Sequence, residues 1–163
     1  MKNTYIKIIS SMLCLISVLS VCSCAKTYKE GIAADELANA IAAAIPTKDG
    51  YYTADADFVD FSIPGASALC EDYIVKIASS DTNKSEFGVF CAANSSDVDK
   101  LAELCQKYID DAKKNLIGDY LPEEMPKIEN AKVLVYGDYV IYTVLTDADR
   151  QAAITAILSK IEK

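Results

Sequence analysis

The sequence predicts an α+β fold, a two-layer sandwich in which an antiparallel sheet carries amphipathic helices on one face. Three observations predict it. Two pairs of β-branched and aromatic runs are joined by short turns, a helical stripe follows each pair, and an Ala-rich helical segment precedes both. Adjacent hairpins with short turns make an antiparallel sheet, and three apolar stripes can cover one face of it. The chain has 163 residues, 52% of them apolar and 25% charged, a composition for one folded domain rather than a disordered or collagenous chain.

Ile32, Leu37, Ala38, Ile41, Ala42 and Ile45 recur at helical spacing, and Pro46 blocks continuation. Residues 51–62 (YYTADADFVDFS) read as one strand or two short ones, and Ile63-Pro64-Gly65 punctuates before a loop or helical turn at 66–69. Residues 71–79 and 86–93 form a hairpin across the polar turn 80–84. Ser96-x-x-Asp99 matches a capping box ahead of a stripe of Val98, Leu101, Ala102, Cys105, Tyr108, Ile109, Ala112 and Leu116. Residues 118–130, with Pro122 and Pro126, form a connecting loop. Residues 131–136 and 139–145 flank Gly137-Asp138, a pair suited to a tight hairpin turn because Gly accepts positive φ. Thr146-x-x-Asp149 is a second capping box, and Ala153, Ile154, Ile157, Leu158 and Ile161 make the last stripe. Strand, cap and helix thus align twice, FGVFCAANSSDVDKLAELCQKYI with YVIYTVLTDADRQAAITAILSKI, which suggests a duplicated ββα unit.

The amino-terminal segment reads differently. Lys2 and Lys7 precede 14 uncharged, mainly apolar residues at 8–21, followed by small residues and Cys. That is the layout of a secretory signal peptide, and the run is shorter than the roughly 20 residues of a spanning helix. Its end, Leu19-Ser20-Val21-Cys22-Ser23-Cys24, resembles the lipobox of bacterial lipoproteins, with an aliphatic residue three before and a small residue one before an acylated Cys. Cys24, with Val21 and Ser23 in those places, is the expected lipidation site. Cys22 is the alternative but has β-branched Val21 before it, and plain secretion by cleavage after Ala25 is a third reading. The expected organisation is a lipoprotein signal at 1–23, lipidated Cys24 and a short tether at 24–30, and one α+β domain at 31–163. Two acyl chains would anchor the domain to the membrane without a spanning helix. Removing 1–23 takes away two Lys and no acid, changing the side-chain charge from -8 to -10. So acidic a domain is expected to stand off anionic head groups on its tether.

Composition excludes whole classes of function. There is no His, and a single Arg, Arg150, among 16 basic residues set against 24 acids. Nucleic acid is therefore not an expected partner, and imidazole mechanisms are absent. No G-x-S-x-G or phosphate-cradling glycine motif occurs, and the Cys that follow Cys24, namely Cys70, Cys91 and Cys105, form no C-x-x-C. Buried thiols are the expectation for these three, with a Cys91–Cys105 disulfide as the alternative. Asp55, Asp57 and Asp60 are near neighbours but miss the Ca²⁺-loop pattern, because Asp60 stands where Gly belongs and Ala66 where Glu belongs. They read as solvated surface, so neither a metal nor another cofactor is expected. Ten Tyr against four Phe permit a ligand-binding face, although cross-strand packing of Tyr51, Tyr52, Tyr73, Tyr136, Tyr139 and Tyr142 accounts for most of them. Arg150 reads as a surface charge in the first turn of the last helix.

Together the lipobox, the tether, the Ala-rich helix, the EFGVF strand leading into a long helix and the GDYVIY hairpin followed by DADR resemble a family of small uncharacterised lipoproteins. These come from clostridia and related Firmicutes and are classed as a domain of unknown function. The resemblance covers residues 30–163 and implies a Gram-positive cell surface and no assigned activity. The expected function is a non-catalytic, membrane-tethered binding or accessory module on the extracytoplasmic face, partnered by an envelope protein or ligand. The alternative is a carboxylate-dependent envelope enzyme or its accessory subunit, which needs a cleft holding two carboxylates of raised pKa.

Overall fold

The computed structural model describes residues 27–115 and 121–163. The signal segment, Cys22, Cys24 and Leu116 lie outside the described residues. Helix α1 (Ala34–Ala44) is followed by β1 (Tyr51–Thr53), α2 (Ala56–Ser62), β2 (Cys70–Ala78), β3 (Glu86–Ala92), α3 (Val98–Lys114), α4 (Met125–Glu129), β4 (Lys132–Tyr136), β5 (Tyr139–Val144) and α5 (Asp147–Ile161). The strands form one antiparallel sheet in the order β1-β2-β3-β5-β4. The α+β class and the antiparallel hairpins are as the sequence predicts.

The helices, however, cover both faces of the sheet, giving three layers rather than two. On one face Phe87, Val89 and Cys91 of β3 and Tyr139 and Ile141 of β5 pack against Leu37 and Ile41 of α1 and Ile157 and Ile161 of α5. On the other, Phe90, Val140, Tyr142 and Val144 meet Leu101, Cys105 and Ile109 of α3 and Val59 of α2. The physical reason lies in the central strands. Every residue of β5 is buried, as is every residue of β3 after Glu86, and such continuous apolar runs belong to strands covered on both sides.

The duplicated pattern does not become a duplicated arrangement. Phe87 and Tyr139, aligned in the two copies, face the same core, but α3 crosses to one face and α5 to the other. The link into α3 passes through a 3₁₀ turn at Ser95–Asp97, whereas Leu145 and Thr146 alone separate β5 from α5. That turn also displaces the expected capping box at Ser96. The cap of α3 is Asp97, already in helical geometry and without a side-chain capping bond. The box at Thr146 does form, with Thr146 Oγ1 accepting from the Asp149 N–H at 3.1 Å.

Two further expectations are corrected locally. Residues 56–62 are helix α2 rather than strand, because Asp55 caps it by accepting from the Phe58 N–H at 2.8 Å. Within the expected loop 118–130, Pro126 sits in the first turn of the short helix α4, where its missing N–H costs nothing. Of the expected tether, Tyr28 forms a bridge to Glu162, and the Lys29 N–H donates to Ile161 O at 2.7 Å. The Tyr28 ring meets Tyr136 edge-to-face, with centroids 5.6 Å apart.

Candidate functional site

Glu86 opens the most buried strand pair of the sheet, opposite Val144. Two residues on, Gly88 is the cross-strand partner of Tyr142. With no side chain at 88, the Tyr142 ring lies across that position, so close that a Cβ there would stand 2.3 Å from Tyr142 Cε1. The ring's hydroxyl thereby reaches Glu86 Oε1 and donates to it at 2.5 Å. Tyr108, from the apolar stripe of α3, donates to the same oxygen at 2.8 Å. The two tyrosine rings meet edge-to-face at 5.3 Å. Oε2 has no hydrogen-bond partner among the described residues, yet no fully buried side-chain N or O atom is left unpaired there. Oε2 therefore keeps some exposure to the space beside it.

That space is a cleft of about 390 Å³. Glu86, Tyr108 and Val144 line it, with the β2–β3 turn, including Ser80, Asp81 and Asn83, on one side and Tyr52, Phe58, Ala112 and Ile128 around the rest. A buried network holds the wall formed by α4. Lys127 Nζ donates to Glu124 Oε2 at 2.6 Å, to Asn83 Oδ1 at 2.9 Å and to Ser85 Oγ at 3.1 Å. Glu124 Oε2 also accepts the Lys84 N–H at 2.7 Å. With side chains 11% and 13% exposed, this pair avoids the penalty of buried charge because its partners come from the turn itself. It pins α4 to the turn that shapes the cleft.

Burial raises the Glu86 carboxyl above its ordinary value of 4.5, outweighing the two tyrosine hydrogen bonds, which favour the charged form. Burial, followed by the Glu86 charge, pushes both phenols above their usual range, so they remain donors at neutral pH. A carboxyl raised in the native state favours folding below its unfolded pKa, and that contribution is lost as pH rises through the native value. Glu86→Gln keeps an acceptor for the tyrosines and removes the titration. Urea unfolding from about pH 4 to about pH 8 should show wild type losing stability relative to the variant, by on the order of 1 kcal/mol. A difference that stays flat across that range would contradict the burial of this carboxyl.

The acids singled out in the sequence do not assemble. Asp55 caps α2, Asp60 accepts from Ser67 Oγ at 2.5 Å, and Asp57 lies exposed in the first turn of α2. No group of three or more metal-ligating side chains occurs among the described residues. Arg150, expected at the surface, is 5% exposed and hydrogen-bonded on every side. Cys91 and Cys105 lie in cores on opposite faces of the sheet, so the alternative disulfide is not formed; Cys70, Cys91 and Cys105 are free thiols. Burial pushes each up to about 12, leaving little thiolate to react. The tyrosines mostly pack: Tyr73 stacks on Phe90, Tyr51 meets Phe87 edge-to-face, and the Tyr139 hydroxyl accepts from the Ile32 N–H.

Sequence reasoning missed the Glu86, Tyr108 and Tyr142 cluster. One signal was available, a lone Glu at the mouth of the apolar run FGVFCAA, where both faces are buried and its carboxyl needs donors.

Residues 66–145 carry a domain of unknown function, DUF4358. No curated protein and no solved structure matches the chain. The DUF4358 segment runs from the turn before β2 to the end of β5 and contains Glu86, Tyr108, Tyr142 and the Lys127–Glu124 pair. Helices α1, α2 and α5, strand β1, and with them Tyr52, Phe58 and Arg150, lie outside it. The carboxylate cluster is thus a feature of the DUF4358 segment, while two aromatic walls of the cleft come from the residues before it.

Proposed function

We propose that this chain is a lipoprotein of a Gram-positive envelope, of the kind found in clostridia and related Firmicutes. In this reading it is held on the extracytoplasmic face through acylated Cys24 and uses the Glu86 cleft to bind a ligand without catalysis. The observation that carries this reading is the lipobox Val21-Cys22-Ser23-Cys24 behind an apolar run too short to span a bilayer. With Cys24 acylated, Tyr28, which bridges to Glu162, lies at most about 14 Å of extended chain from the lipid. The end of the sheet holding the β4–β5 turn would then face the membrane. Glu86 lies at the other end: β3 meets β5 through Cys91 and Tyr139 near the tether and through Glu86 and Val144 at the cleft, about 17 Å further along the strand. The cleft would thus open away from the bilayer, where an envelope ligand or protein can reach it.

Binding is favoured over a carboxylate-dependent reaction because the cleft brings together one buried carboxylate. Its other acid, Asp81, is exposed, and an acid and base pair needs two carboxyls with different environments. Labelling cells with radioactive fatty acid tests the anchor. Wild type should take up label and Cys24→Ala should not. Persistence in Cys24→Ala with loss in Cys22→Ala would move the site, and no label in wild type would overturn the anchored reading.

A further inference from the structure

We propose that the cleft binds a small organic cation, an ammonium group on an apolar body; this rests on reading the cleft as the module's ligand site. Glu86 Oε1 is occupied by two hydroxyl donors, so Oε2 alone remains to accept a hydrogen bond from a guest. The tyrosines hold the carboxylate rigidly from behind and bring no positive charge, which leaves its charge to be met from the cleft side. Asp81 adds a second negative charge at the rim, and Tyr52, Phe58 and Tyr108 offer aromatic rings around the same space, an arrangement that attracts ammonium groups. Ile77, Ile128 and Val144 add an apolar lining, and a volume of about 390 Å³ suits a ligand of modest size.

The same features argue against other guests. An anion would meet Glu86 and Asp81, with Lys84 as the single basic residue among those lining the cleft. A divalent metal would find one free oxygen of Glu86 and the rim carboxylate of Asp81, and no cluster of three ligating groups among the described residues. A neutral alcohol would fill the apolar lining but leave the buried charge uncompensated.

Calorimetric titration of the full chain with hexylamine, hexanol and hexanoate tests this. Hexylamine should bind saturably at one site per chain, at least about tenfold more tightly than the other two, and Glu86→Gln should weaken it by about tenfold or more. Circular dichroism of Glu86→Gln verifies that the variant is folded. Equal affinity for hexanol, or hexylamine binding unchanged in Glu86→Gln, would overturn the cation assignment. If hexanol binds as well and Ala112→Trp, folded by circular dichroism, abolishes it by filling the cleft from the half-buried wall of α3, the cleft remains a ligand site and the cation alone fails. The absence of saturable binding by all three overturns both the cation and the cleft, and leaves acylation of Cys24 to its own labelling test.

Discussion

Arg150→Ala is expected to destabilise the fold by about 3 kcal/mol or more, measured by urea unfolding. Arg150 lies in the first turn of α5, 5% exposed. Its Nε donates to Thr143 Oγ1 at 3.2 Å, its Nη2 to Asn130 O at 2.7 Å and to Leu145 O at 2.9 Å, and its Nη1 to Asp147 Oδ1 at 2.6 Å. One planar guanidinium thus ties the link between α4 and β4 to the link between β5 and α5. Alanine would leave the Leu145 carbonyl and the Thr143 hydroxyl without this donor in a buried setting, and the Asn130 carbonyl without it in a half-buried one; desolvation makes the buried losses costly. The ion pair is not the source of the effect. The Asp147 side chain is 80% exposed, so Asp147→Asn should cost less than about 1 kcal/mol. Arg150→Lys, which keeps the charge but loses the fork, should fall between the two. A loss below about 1 kcal/mol for Arg150→Ala would show that water replaces these bonds.

Gly88→Ala should cost about 3 kcal/mol, for a steric reason and not a conformational one. Gly88 is not among the glycines with positive φ; what it lacks is room. A Cβ would stand 2.3 and 2.9 Å from Tyr142 Cε1 and Cδ1 and 2.8 Å from Phe90 Cε2. The Tyr142 ring cannot swing aside cheaply, since it is fully buried and its hydroxyl is bonded to Glu86. Overpacking of this kind forces strained rotamers or backbone shifts. A double-mutant cycle provides the decisive measurement. In a Tyr142→Ala background, Gly88→Ala should lose most of its cost, because the clashing ring is gone. Equal costs in both backgrounds would place the strain elsewhere.

Local chemistry was legible wherever a short segment decides its own conformation. The Ala-rich helix ended by Pro46, the stripe of α3, the Thr146 capping box and the Gly137 turn, with φ +59°, each depend on residues within a few positions of one another. The Ser96 box failed because a 3₁₀ turn competes for the same residues, and 56–62 read as strand because its aromatic and β-branched residues, Phe58, Val59 and Phe61, are types that favour strands. Asp55, which by its sequence reads as solvated surface, is the cap that starts that helix.

The cleft was not legible, because its parts sit at 52, 58, 86, 108, 128 and 144 and nothing local relates them. By itself, the sequence determined the α+β class and the antiparallel hairpins, both of which follow from composition and near-neighbour periodicity. Only the tertiary structure decided that helices cover both faces of the sheet. It alone also decided that Arg150 is interior and that a single Glu meets two tyrosines beside open space. These are questions of burial, and the burial of a charged side chain depends on which distant elements arrive to exclude water and supply its hydrogen bonds.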